Sequence, residues 1–174
     1  MQSCLFAGGG TYLLGVLPSD NKAAFTGNTG VPNSRAVAGY TMVSNAVVTP
    51  IVTLGVFVKI SGVTAASGLA ERFTMTSNRA TYTNSLPGTF EFTSNATITG
   101  ANNRVFAIRY ALNGTSVANS EMRVTTSGGV RANAVSTQFL ISLNSGDFIE
   151  LFVANLTNTE SPTVVNMSMI GVNI

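Results

Sequence analysis

LISLNSGDFIELFV, Leu140 to Val153, encodes a strand, a turn and a second strand in one short run. Val135, Thr137, Phe139, Ile141 and Leu143 recur at the two-residue period of a strand with one buried face. Asn144-Ser145-Gly146-Asp147 then supplies turn-forming residues, with Gly146 and Asp147 placed to close the turn. Ile149, Leu151 and Val153 resume the period on the far side.

The same texture extends in both directions. Upstream, Phe106, Ile108, Tyr110 and Leu112 alternate with Ala107, Arg109 and Ala111, and Asn113-Gly114 follows. That dipeptide tolerates the positive φ of a tight hairpin, so a turn is predicted at Asn113 and Gly114. Earlier still, Phe90, Phe92, Ser94, Ala96 and Ile98 alternate with Glu91, Thr93, Asn95 and Thr97. A further strand is predicted from Val52, Leu54, Val56, Val58 and Ile60, and residues 164–174 close the chain as the last. Many strands without helical interludes predict an all-β, antiparallel sandwich or jelly roll over residues 51–174. Residues 1–50 are richer in glycine, with turn-forming Pro18-Ser19-Asp20 and Pro32-Asn33-Ser34 and short apolar bursts. They predict an extended N-terminal arm or attachment segment.

Composition narrows the function. Only 9% of the 174 residues are charged, against roughly 25% in ordinary soluble domains. Ser, Thr and Asn replace the missing charge, and no run is apolar for the about 20 residues that a spanning helix needs. Low charge gives little repulsion between copies and favours self-association. The nine basic residues, seven of them Arg, are scattered, which argues against nucleic-acid binding. The start, MQSCLFAGGG, lacks a basic segment before its apolar stretch, so synthesis in a reducing cytoplasm is expected.

The chain holds no histidine and one cysteine, Cys4. The usual general base and the commonest transition-metal ligand are both missing, so catalysis and zinc binding are not expected. No cofactor is expected. Asp147 and Glu150 form the nearest acidic pair; Asp147 is read as closing a turn and Glu150 as lying on a solvated face.

Five segments in order resemble the complement C1q and tumour-necrosis-factor type of jelly roll. They are FTMTSNRATYT (Phe73–Thr83), PGTFEF (Pro87–Phe92), IRYALNGTSV (Ile108–Val117), LISLNSGDFIELFV and the ending MSMIGVNI (Met167–Ile174). The Asn/Thr-rich flavour is similar to domains on structural proteins of bacteriophages. The first 50 residues do not share the resemblance. Some members of that family hold calcium with clustered acids, but Asp20 and Asp147 are the only aspartates here and the glutamates are isolated, so no metal site is expected.

The resemblance implies a homotrimer. Val105–Leu112, Phe148–Val153 and Val164–Ile174 are apolar on both faces, which suits strands buried by a partner sheet on one side and by neighbouring subunits on the other. Phe106, Tyr110, Phe152 and Ile170 are the interface candidates. The function expected is that of a virion structural protein of a tailed phage, assembled in the host cytoplasm. It would be a trimeric capsid decoration or cement protein that binds the major capsid protein or other virion subunits through its arm. The chain starts with Met and is short, which favours this over the alternative, the receptor-binding tip of a tail or head fibre. In that alternative the loops Gly100–Arg104 and Ser127–Ala132 would meet a host-surface receptor or glycan.

Overall fold

A computed structural model describes residues 2–5, 11–14, 36–127 and 132–174. The chain divides into two units, Met1–Arg35 and Ala36–Ile174. In the first, β1 (Gln2–Leu5) and β2 (Thr11–Leu14) pair antiparallel, with Gln2 opposite Leu14. The turns expected at 18–20 and 32–34 lie outside the described residues.

The second unit is built from β3 (Val37–Met42), β4 (Val58–Lys59), β5 (Ala65–Glu71), β6 (Phe73–Thr76), β7 (Arg79–Tyr82), β8 (Gly88–Thr99) and β9 (Val105–Leu112). It continues with β10 (Thr115–Ser116), β11 (Met122–Thr125), β12 (Asn133–Leu143), β13 (Phe148–Asn155) and β14 (Thr163–Asn173). A 3-10 turn, Ala118–Ser120, interrupts the strands. One sheet runs β12-β8-β14-β3-β5. The other runs β10-β9-β13-β7-β6, with β11 also on β9 and β4 on β13. All pairings are antiparallel, and the last strand lies beside β3 in a two-sheet jelly roll.

Period-two patterning explains the central strands. Along β8 the even-numbered positions from Phe90 to Ile98 are buried and the odd ones face outward. Its inward residues meet inward residues of the other sheet and form one core that includes Phe73, Tyr82, Phe90, Phe92, Tyr110 and Ile149. Gly171 on β14 lies where a Cβ would collide with the Phe92 ring, so the last strand needs glycine there.

The structure corrects three expectations. The arm does not reach residue 50: Ala36, Ala38, Tyr40 and Met42 are buried, and β3 is an interior strand between β14 and β5. Residues 51–60 are not one strand, since only Val58–Lys59 pairs. A turn at Thr53–Val56, with Gly55 at φ 73, breaks the run, and Val52, Leu54 and Val56 are exposed despite their spacing. This segment runs as a strap alongside β13: Gly55 donates to the Asn155 carbonyl, Ile60 donates to the Leu151 carbonyl, and the Phe57 ring reaches over β9 to lie 4.0 Å from the Arg109 guanidinium. Finally, the second apolar face of β9 and β13 is not left open for a neighbour, since Ala107, Ala111 and Ala154 are fully buried within the chain.

The boundary sets a test. A chain lacking residues 1–35 is expected to melt cooperatively near the full-length temperature. A chain lacking 1–45 loses β3 and is expected to be insoluble or unfolded by circular dichroism.

Candidate functional site

The four interface candidates do not converge. Phe106 and Tyr110 are wholly buried in the protomer's own core and are corrected as interface residues. Period two places both on the inward side of β9, where the Tyr110 ring stacks on Phe139 at 5.9 Å. Its hydroxyl donates to Ser94 Oγ at 2.7 Å. Burial pushes the Tyr110 phenol well above its ordinary pKa, and the Ser94 bond partly opposes this. Phe152 is half-buried on the outer side of the seven-stranded sheet, in register with Lys59 and Arg109. Ile170 alone stands exposed, on the outer side of the five-stranded sheet opposite Thr93 and Gly39.

The predicted turn residues do come together. Asn113 and Gly114 both take positive φ, at 51° and 78°, and join β9 to β10 by a two-residue hairpin. The Asn113 side chain donates to Asp147 Oδ1 at 2.7 Å and accepts from the Phe148 N–H at 3.0 Å. Asp147 also accepts from the Asn144 N–H at 2.7 Å, which closes the turn around Gly146 (φ 89). Two turns distant in sequence are thus tied by one amide and one carboxylate. The hydrogen bonds from Asn113 and from the Asn144 backbone hold the Asp147 carboxyl below its ordinary range.

Glu150 was expected on a solvated face, and this too is corrected. The strap covers it, leaving its side chain 2% exposed. Its Oε1 lies 2.5 Å from Lys59 Nζ and 3.1 Å from Arg79 Nε. A buried carboxylate needs such partners, because desolvation otherwise costs several kcal/mol, of order ~5. Period two correctly put Glu150 on the outer side of β13; the cover over that side was invisible until the strap was placed. Among the described residues no three His, Cys, Asp or Glu side chains converge as a metal site would require.

The two outer faces differ in charge. In the seven-stranded sheet, β4, β7, β9, β11 and β13 each carry an ionised residue: Lys59, Arg79, Arg109, Arg123 and Glu150. In the other sheet, β12, β8, β14 and β3 together carry one, Glu91. That face is a field of small neutral polar groups. Ser136 Oγ donates to Asn95 Oδ1 at 2.6 Å, Asn166 Nδ2 donates to Thr97 Oγ1 at 3.1 Å, and Glu91 accepts from Gln138. Leu140 and Ile170 stand out of it at 59% and 49% exposure. Residue-type counting missed this face because neutrality shows only once four strands distant in sequence are laid side by side. The edge strand β12 is itself free of charge, proline and register breaks over eleven residues.

Searches of protein-family models and of curated protein sequences give no match to this chain. Solved structures do match. Murine APRIL at pH 5.0 superposes with a TM-score of 0.53 at 8% identity, over 79% of this chain and 99% of that one. Murine APRIL at pH 8.5 gives 0.51, also at 8% identity and the same coverage. The chain has a tumour-necrosis-factor/C1q-type jelly-roll fold. The vertex protein P5 of PRD1 is a looser match, with a TM-score of 0.46, 12% identity and coverage of 79% of this chain and 95% of that one. In this jelly roll the neutral face is the outer side of the sheet that contains both β3 and β14, the first and last strands of the Ala36–Ile174 unit.

Acid should loosen the tie between the turns. A carboxyl with a depressed folded pKa adds stability that is complete above its unfolded value, about 3.9, and disappears as pH falls through the folded value. Asp147, Glu160 and Glu121 all shift downward: Asp147 through Asn113, Glu160 through the Ala101 N–H and Arg104, and Glu121 through Arg123 and Arg109 against an opposing burial effect. The melting temperature is therefore expected to hold from pH 7 to about 5 and to fall toward pH 2. Asp147→Ala is expected to cost about 1 kcal/mol at pH 7 in urea denaturation and to flatten part of that fall.

Proposed function

We propose that this chain is a non-catalytic virion structural protein of a tailed bacteriophage, a homotrimeric capsid decoration or cement protein that binds the head surface through its N-terminal segment. The trimer is supported by one observation above the others, the nearly charge-free face of β12-β8-β14-β3. Such a face is depleted in charge like an interface core, and Leu140 and Ile170 supply apolar anchors on it. A charge-free edge strand, β12, stands beside it. Natural proteins usually blunt a free edge with Lys, Pro or a bulge, and β12 has none. A face that meets a different surface on the next copy makes a heterologous contact, which gives a closed ring where the rotation between copies closes; the number three comes from the resemblance.

The phage assignment draws on the Asn/Thr-rich motifs from Phe73 to Ile174 that resemble bacteriophage structural domains. The separate Met1–Arg35 unit supplies a segment for attachment that the jelly roll does not need for its own sheets.

Ile170→Arg places a charge in the neutral face and is expected to leave a folded monomer. Sedimentation equilibrium at micromolar concentration should give a trimer mass for the natural chain and a monomer mass for the variant; a stable, folded monomer of the natural chain would overturn the trimer. On the purified particle, hundreds of copies per virion on a stained gel are expected for a decoration protein, and a few dozen would indicate a fibre tip instead.

A further inference from the structure

An open depression of about 550 Å³ lies where β4, the loop after it and the β6–β7 turn meet. Residues 59–64 form one wall and Ser77 and Asn78 the other. Its volume falls within the roughly 300–1,000 Å³ of small-molecule sites. None of its lining residues belongs to the strands of the neutral face.

The walls are fixed rather than loose. Asn78, at φ 57 in a tight turn, is itself buried. Its Nδ2 donates to the Ile60 carbonyl at 3.1 Å and to the Gly62 carbonyl at 2.8 Å, and its Oδ1 accepts from the Thr64 N–H at 2.9 Å. One side chain therefore clamps the whole loop from Ile60 to Thr64. Ser61, Thr64 and Ser77 bring three hydroxyls to the walls, each able to donate and accept.

Charge at the rim is unbalanced. Lys59 lines the depression; Arg79 does not line it but shares the Glu150 carboxylate with Lys59. Both cations bind the same buried carboxylate, Glu150, yet keep 32% and 39% of their side chains exposed. Two cations on one carboxylate leave one positive charge, held in place from below. Arg79 is further immobilised over the Phe148 ring, 3.7 Å from its centre. A clamped loop, hydroxyl-bearing walls and a fixed surplus cation describe a receptor for a ligand rich in hydroxyls that carries one anionic group.

We propose that the depression bounded by Lys59–Thr64 and Ser77–Asn78 binds an acidic sugar, the carboxylate meeting Lys59 and the ring hydroxyls meeting the serine and threonine hydroxyls. This holds whichever position the protein takes on a particle, because it rests on residues remote from Leu140 and Ile170. It gives the jelly roll a second task, adhesion to a uronic-acid polymer.

Titration of the full-length ¹⁵N-labelled chain with methyl β-glucuronide, followed by amide shifts, tests the site. Saturable shifts confined to residues 59–64 and 77–80 are expected, with methyl β-glucoside and inorganic phosphate each at least about tenfold weaker. Lys59→Gln, which leaves Glu150 its Arg79 partner, should weaken the glucuronide by a similar factor while the chain still melts cooperatively. Ser77→Ala should weaken both sugars and leave phosphate unchanged. Absent or non-saturable shifts would overturn the proposal. So would phosphate matching the glucuronide, which would reduce the site to general anion attraction.

Discussion

A file of aromatic rings joins the two sheets, and the other packing is arranged around it. Phe73 and Tyr82 from the seven-stranded sheet meet Phe90 of β8 edge-on, at 5.2 Å and 4.9 Å. Phe90 leads to Phe92 at 6.1 Å, Phe92 to Tyr110 at 6.1 Å, and Tyr110 to Phe139 at 5.9 Å. Phe90 and Phe92 of one sheet and Phe139 beside them interlock with Phe73, Tyr82 and Tyr110 of the other, so neither sheet can slide without breaking several offset contacts, each about 0.5–1.5 kcal/mol beyond burial. Register is fixed by the same rings, because a one-residue slip of β8 would turn Phe90 and Phe92 out to solvent and bring Glu91 and Thr93 in.

Much of this was legible in the amino-acid order. The alternation around Phe90, Tyr110 and Phe139 marks the strands correctly and Asn113-Gly114 marks the hairpin, but Phe106 and Tyr110, expected at an interface, face inward. Two kinds of information were missing. Spacing reports which side of a strand a residue takes, but not what covers that side. Glu150 was therefore misjudged, since Lys59 of the irregular strap 51–60 meets it there. Spacing also cannot see a turn hidden inside an alternating run: Val52, Leu54 and Val56 keep the strand period, and Gly55 breaks the backbone among them. The neutral face lay beyond reach for a third reason. It is a property of four strands that become neighbours only in the folded sheet.

The two outer surfaces divide the electrostatic work. Ion pairs gather on the seven-stranded sheet, where Glu150 and Glu121 each hold two cations. Glu150 fastens the strap to the sheet, and Glu121 links Arg109, beneath Phe57, to Arg123 on β11. The five-stranded sheet is left with short side chains already bonded to one another across neighbouring strands. A neutral surface satisfied in this way loses little on desolvation, whereas the opposite face would have to bury charges against a partner.

The position of β14 has a consequence for how the molecule is made. β14 lies between β8 and β3, with Met167 opposite both Ala96 and Met42. Until β14 is in place the sheet has a gap at its centre, and β3 and β8 have no common neighbour. The neutral face is therefore complete only once β14 has joined both of them. Contacts of such long sequence separation form slowly. A partly folded chain, with its hairpins made but this ladder still open, presents β8 and β3 as two unpaired edges, so the step that completes the neutral face is also the one that removes the edges most prone to wrong pairing.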